Sequence, residues 1–198
     1  MLSSFFALIL RMKWIERWGL MRNTFPDNLA EHSLDTAIFA HALCIIGKIR
    51  FGKQLDEERC ALLALFHDAG EIITGDMPTP IKYRSEALHT LYKEVEKEAA
   101  EELIRHLPED LQDVYRSLLT PQEADAELLP YLKAADKLSA YVKCLQEVNS
   151  GNREFEQALC GQKQAIEKLC LPEAKVFLEE FIPAFSWSLD EQQKMSMS

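Results

Sequence analysis

Glycine and proline are scarce: the 198 residues hold 7 and 8 of them, well under the roughly 12% that the two together contribute to average usage. So few breakers cannot serve the many tight turns of an all-β fold, and the same shortage excludes collagen-like and linker-rich organisation. Valine occurs only five times and no run alternates apolar with polar residues, so the strand signal is missing as well. Basic residues are the minority sign, 22 against 32 acidic ones for a net charge of −10, which argues against a broad basic face for nucleic acid polymers. A small anion stays within reach, because one local cation can hold it. The cysteines (Cys44, Cys60, Cys144, Cys160 and Cys170) form an odd set without a C-x-x-C pair. They fit neither a disulfide framework nor a thiolate zinc module, and point to a reducing compartment. Long apolar runs are absent too. Residues 5–10 make a run of six with Arg11 and Lys13 behind it rather than before it, where a signal peptide wants about 7–15 and a membrane span about 20. The expectation is a cytoplasmic protein with no membrane partner.

What is present reads as helix throughout. At 198 residues, with 47% apolar content and no repeat or low-complexity tract, the chain has the size and composition of one domain, with a core over about 4–190 and a short tail over 191–198. Phe5, Leu8, Ile9, Met12 and Ile15 recur at offsets of three and four, which predicts a helix over 4–18. Asn28 with Glu31 has capping-box spacing and opens a long apolar helix through Leu34, Ile38, Ala42 and Ile45, whose end Gly47 and Gly52 bracket. Asp56 caps a helix running to His67, and residues 74–80, with two prolines and a glycine, are expected to be loop. Charged and apolar periodicity then predicts helices over 85–106, from Pro108, from Pro130, and over 153–170 and 173–182. The fold class is all-α.

Three of these segments carry residues that transition metals favour: His32 on the second helix, His67 and Asp68 at the end of the third, and Asp136 on the late one. Two imidazoles and two carboxylates suit Mn, Fe, Co, Ni or Zn better than Ca or Mg, which prefer all-oxygen shells. The two carboxylates would cancel the charge of a divalent ion, so a phosphate dianion bound there needs another cation. Each residue also has a plainer reading, as a surface or hydrogen-bonded core side chain. Asp136, however, sits among small and apolar neighbours in Leu-Lys-Ala-Ala-Asp-Lys-Leu-Ser-Ala-Tyr, and a buried charge needs a partner. His67-Asp68 follows the apolar run Ala61-Leu-Leu-Ala-Leu-Phe66, and adjacent residues share no helix face, so a common metal belongs near the helix end.

The order H…HD…D on helices resembles the HD-domain metal-dependent phosphohydrolases. Further segments are similar to a narrower group, the bacterial 5′-deoxynucleotidases of the YfbR type: Arg17-Trp18-Gly-Leu-Met-Arg22, Glu31-His32-Ser33, Phe66-His-Asp-Ala-Gly-Glu71, Thr74-Gly-Asp-Met-Pro-Thr-Pro80 and Lys133-Ala-Ala-Asp136. The likeness runs on to Ser188-Leu-Asp190, almost the whole chain. It implies a single all-helical domain, a homodimer, and removal of the 5′-phosphate from deoxynucleoside 5′-monophosphates.

The resemblance makes His32, His67, Asp68 and Asp136 the metal ligands, with cobalt, manganese or a similar divalent ion bound, and zinc, nickel or iron as other occupants. His32, Asp68 and Asp136 thereby also face the substrate, and Asp68 joins the catalytic residues. Glu71 lies three residues after Asp68 and four after His67, the same side of a continuing helix. By itself it reads as a solvated glutamate, and by resemblance as the acid/base carboxylate. Arg17 reads either as the wet face of an amphipathic helix or, by resemblance, as the arginine that orients phosphate, a task suited to a planar guanidinium. Trp18 is otherwise a core residue and Asp76 a turn residue. The resemblance places both beside the substrate, with Met77, Pro78 and Thr79. Two other readings remain open at this point: an HD hydrolase acting on a triphosphate, cyclic nucleotide or guanosine polyphosphate, and a helical nucleotide-binding protein without catalysis.

Overall fold

The computed structural model describes residues 2–82 and 84–194, and the backbone alone of Thr79. In chain order the α-helices are α1 (Phe5–Ile9), α2 (Leu29–Phe51), α3 (Glu57–Phe66), α4 (Glu71–Thr74), α5 (Thr79–Lys82), α6 (Glu86–Arg105), α7 (Glu109–Leu119), α8 (Leu129–Asn149), α9 (Glu156–Lys168), α10 (Pro172–Glu180) and α11 (Leu189–Lys194). The all-α expectation holds: among the described residues, β pairing is limited to one isolated antiparallel bridge, Glu16 to Asn28.

Local chemistry fixes most of the boundaries. Asn28 Oδ1 accepts from the Ala30 and Glu31 N–H groups, both at 3.1 Å, and so satisfies two of the donors that α2 leaves unpaired at its start. Gly52, at φ 66°, ends the same helix in the left-handed conformation that glycine adopts without strain. Gly47 lies inside α2 and serves closeness instead. A Cβ there would stand 2.8 Å from Leu55 Cδ1 and 3.0 Å from a Glu173 oxygen. Asp56 and Ser85 cap α3 and α6 through their side chains. Pro108 stands one residue earlier than a first-turn position, as the cap of α7.

Two expected boundaries are corrected. The helix expected over 4–18 breaks up: α1 gives way to a 3-10 turn over Leu10–Trp14 and then to extended chain at Ile15. The cause is competition from pairing, because Arg17 N–H donates to the Asp27 carbonyl and Leu29 N–H to the Ile15 carbonyl, both at 2.9 Å. The loop expected over 74–80 shrinks to 75–78, since Thr74 closes α4 and Pro80 sits in the first turn of α5, where a missing N–H costs nothing. Of the tail expected over 191–198, residues 191–194 belong to the exposed helix α11, and 195–198 lie outside the described residues.

Two apolar clusters organise the packing. The larger joins α2, α3, α8, α9 and α10 through Leu43, Leu63, Leu138, Ile166 and Phe177, and the smaller joins α1, α6 and α7 through Phe5, Leu103, Ile104 and Leu119. Ala64 belongs to the first and Ala69 to the second. The turn between them, 67–70, is therefore anchored from both sides.

The segment before α2 is held differently. Glu147 of α8 is fully buried and accepts from Thr24 N at 3.0 Å, Phe25 N at 3.1 Å, Asn152 Nδ2 at 2.8 Å and Lys143 Nζ at 2.5 Å. Burial alone would raise its pKa, but these donors win and hold it down at about 2, against an ordinary 4.5. A depressed folded-state pKa means that the stabilisation is complete above 4.5 and lost as the pH falls toward 2. Acid unfolding of the wild type is expected to steepen across that window. Glu147→Ala should cost about 3–5 kcal/mol at neutral pH, because it strands the Lys143 ammonium, and should flatten the acid limb; denaturant titrations at several pH values measure both.

Candidate active site

The site forms where α2, the end of α3 and α8 meet. His32, one turn into α2, is 1% exposed. Helix α3 stops at Phe66, and the turn that follows presents His67 and Asp68 together, as expected for adjacent residues serving one centre. Asp136 comes from the middle of α8. His32 Nε2 lies 3.5 Å from Asp68 Oδ2 and 3.4 Å from Asp136 Oδ1, and His67 Nε2 lies 3.1 Å from Asp68 Oδ2. Ligand atoms of His32, His67 and Asp68 all fall within 4.8 Å of one another. All four expected ligands are thus brought together.

The far nitrogens orient these rings. His67 Nδ1 is 2.7 Å from the Ala64 carbonyl, which only accepts, so Nδ1 carries the proton and Nε2 keeps its lone pair in the neutral ring. His32 Nδ1 is 2.9 Å from Ser139 Oγ, a partner compatible with the same tautomer. Both Nε2 atoms are buried without a hydrogen-bond partner. Two imidazole lone pairs facing two carboxylates repel unless positive charge lies between them. The electrostatics say the same: burial opposes a charged His67, yet Asp68 and Asp136 draw its pKa up to about 9. Asp68 and Asp136 are both held below the usual carboxylate range, against their burial, by His67, by His32 and, for Asp136, by Lys137 as well. Nitrogen and oxygen donors, correct tautomers and uncompensated negative field together fit a divalent cation.

Glu71 reaches the site by another route than expected. No continuous helix carries it there, because residues 67–70 turn and α4 begins anew at Glu71. Its side chain is still buried, and burial with Asp68 and Asp76 nearby pushes its pKa up to about 9. The solvated reading is thereby excluded. Asp76 is also raised, by burial, although the field of Arg17 and a hydrogen bond from the Trp18 backbone work against the rise. Met77 and Pro78 are half-buried in the same loop, while the side chain of Thr79 lies outside the described residues.

Arg17 and Trp18 lie in the irregular chain between the 3-10 turn and α2, off any helix face. Both bind Asp27 Oδ2, Arg17 through Nη1 at 3.1 Å and Trp18 through Nε1 at 3.0 Å. Arg17 Nε is buried without a hydrogen-bond partner. Sequence reasoning missed Asp27 and Ser139. Ser139 was accessible to it, standing three residues after Asp136 on the same face of α8; Asp27 looks like any turn residue.

The family model for 5′-deoxynucleotidase YfbR-like proteins matches residues 4–185. The chain belongs to the YfbR-like family. Relatives named 5′-deoxynucleotidase in Yersinia pestis (strain Pestoides F) and Yersinia pseudotuberculosis serotype O:3 (strain YPIII) are each 47% identical over 190 residues, covering 96% of this chain and 96% of theirs. Among solved structures, an HD-domain phosphohydrolase from Listeria innocua matches with a TM-score of 0.80 at 25% identity, over 92% of this chain and 88% of that one. A cyanophage S-2L HD phosphohydrolase, solved with dA and one catalytic Zn2+ ion, shares the fold with a TM-score of 0.64 at 21% identity, over 89% of this chain and 95% of its own. In this YfbR-like chain the all-helical fold is that of the HD-domain phosphohydrolases.

Proposed function

We propose that this protein is a metal-dependent 5′-deoxynucleotidase, which hydrolyses deoxynucleoside 5′-monophosphates to the deoxynucleoside and inorganic phosphate. The observation that carries the reading is the full-length likeness to proteins of that name in a chain whose His32 and His67 offer unpartnered Nε2 atoms beside Asp68 and Asp136. Those four residues would hold the ion, with cobalt or manganese as the proposed occupant. Such an ion supplies Lewis-acid polarisation of the phosphate and a lowered pKa for the attacking water.

The chain's own groups do the rest. Arg17 keeps a buried, unpaired Nε–H, a donor suited to a phosphate oxygen and to the charge that builds there. Glu71 holds a proton in a site that disfavours its carboxylate and passes it to the 5′-oxygen as the P–O bond breaks. Asp68 serves both as ligand and beside the reacting phosphorus. Trp18 and the loop of Asp76, Met77 and Pro78 form the sugar side, with the indole beside C2′ and the Asp76 carboxylate accepting from the 3′-hydroxyl.

The discriminating experiment is kcat/KM for dAMP against AMP. A steric clash with the 2′-hydroxyl is worth about 1–3 kcal/mol, so AMP should be about 10–200-fold poorer without being inert. Trp18→Ala should erase most of that ratio, whereas Asp76→Ala should weaken both substrates together. Equal wild-type values would remove the deoxyribose preference from the account.

Two further features belong to the proposal. The outward face of α2 carries exposed Leu34, Ile38 and Ile49 at helical spacing, which supports a homodimer formed across it; Ile38→Arg should halve the mass measured by light scattering. All five cysteines are free and no helix among the described residues is long and apolar enough to cross a membrane, which supports a cytoplasmic setting.

A further inference from the structure

One carboxylate oxygen touches both recognition residues. Asp27 Oδ2 takes the Trp18 indole N–H and the Arg17 guanidinium together, and the Arg17 and Asp27 side chains are each only 12% exposed, so solvent screens the pair weakly. The backbone closes the same unit, with Arg17 N–H on the Asp27 carbonyl at 2.9 Å and the Glu16–Asn28 bridge just beyond. Trp18 itself stands at φ 61°, a left-handed conformation that a bulky residue keeps only where its surroundings over-determine it. Three contacts do so here: the Met21 N–H on the Trp18 carbonyl at 2.8 Å, the indole bond to Asp27, and the Phe155 ring at 5.4 Å.

We propose that Asp27 is a positioning residue that couples phosphate recognition to sugar recognition. By engaging Nη1 it fixes the guanidinium plane and leaves the buried Nε free to donate. By engaging Nε1 through the same oxygen it fixes the indole relative to that plane. The arginine's charge is already balanced by Asp27, so its value to a phosphate is directional, which a lysine cannot reproduce. This rests on the roles given above to Arg17 and Trp18.

The test is kcat/KM for dAMP and for AMP in Asp27→Ala, Asp27→Asn and Asp27→Glu, in Arg17→Ala and Trp18→Ala, and in the two double variants with Asp27→Ala, with bound metal measured throughout. Asp27→Ala should retain its metal, lose about 10²-fold on dAMP as misplacement of a binding group does, and bring the dAMP-to-AMP ratio down to that of Trp18→Ala. On the Trp18→Ala background it should not change the ratio further, and on the Arg17→Ala background most of its effect on dAMP turnover should vanish. Asp27→Glu should recover part of both rate and ratio; Asp27→Asn keeps the shape without the charge, should not, and serves in place of alanine if that variant fails to fold. A wild-type ratio in Asp27→Ala while Trp18→Ala lowers it would overturn the proposal, as would fully additive losses in both double variants. If Trp18→Ala itself kept the wild-type ratio, the assignment of the indole to sugar choice would be the part that failed, and the coupling would fall with it.

Discussion

His67→Ala and Asp136→Ala are expected to strip the divalent ion from the purified protein and to end phosphate release. The ligands come from separate elements that only folding brings together, so the ion binds the folded chain and each lost donor weakens the whole set. Lewis-acid stabilisation is worth several kcal/mol, hence about 10³-fold or more in rate. Ser139→Ala provides the graded control, because the loss of a group that orients a ligand costs about 10–100-fold in metal affinity. Elemental analysis alongside activity reads all three, and wild-type metal content in both ligand variants would refute the assignment.

Glu71→Gln is expected to keep its metal and lose about 10²–10⁴-fold in kcat, the usual worth of a positioned acid or base. The pH dependence follows from the environment. Burial and the neighbouring Asp68 and Asp76 raise the carboxyl toward 9, and a bound dication draws it back down, nearer the working pH. An acid with a raised pKa is competent below that pKa and lost above it. The wild-type rate should therefore fall on the alkaline side below pH 9, and the glutamine variant should lack that limb. If Glu71→Gln lost its metal along with its rate, the residue would be a ligand and the division of roles would be wrong.

How far the sequence speaks depends on the range of the interaction involved. Helices α2, α3, α6 and α8 were legible because caps and periodicity are local: Asn28, Asp56 and Ser85 act on donors within three residues of themselves. The Arg17–Trp18 segment was not, since the pairing that pulls it out of helix comes from residues ten positions on, across a turn. The four proposed ligands were legible as types and order. Their meaning lay in spatial facts, namely that two imidazole nitrogens are buried, face carboxylates and have no partner. Glu71 shows the limit from the other side: its place on the same side as His67 and Asp68 was expected from a helix that does not continue, and its burial arises from a turn and a fresh helix instead.

The most direct measurement is inorganic phosphate released by chelator-stripped protein supplied with dAMP, alone and with cobalt, manganese or calcium returned. Parallel reactions offer dATP, a cyclic nucleotide and a guanosine polyphosphate, with loss of the nucleotide followed by chromatography, because their hydrolysis can yield triphosphate, a monophosphate or pyrophosphate in place of inorganic phosphate. The account predicts no release without metal, strong release from dAMP with cobalt or manganese, little with calcium, and little from the other substrates under any ion. Metal-independent release from dAMP, or faster turnover of the triphosphate, cyclic or guanosine substrate, would contradict it.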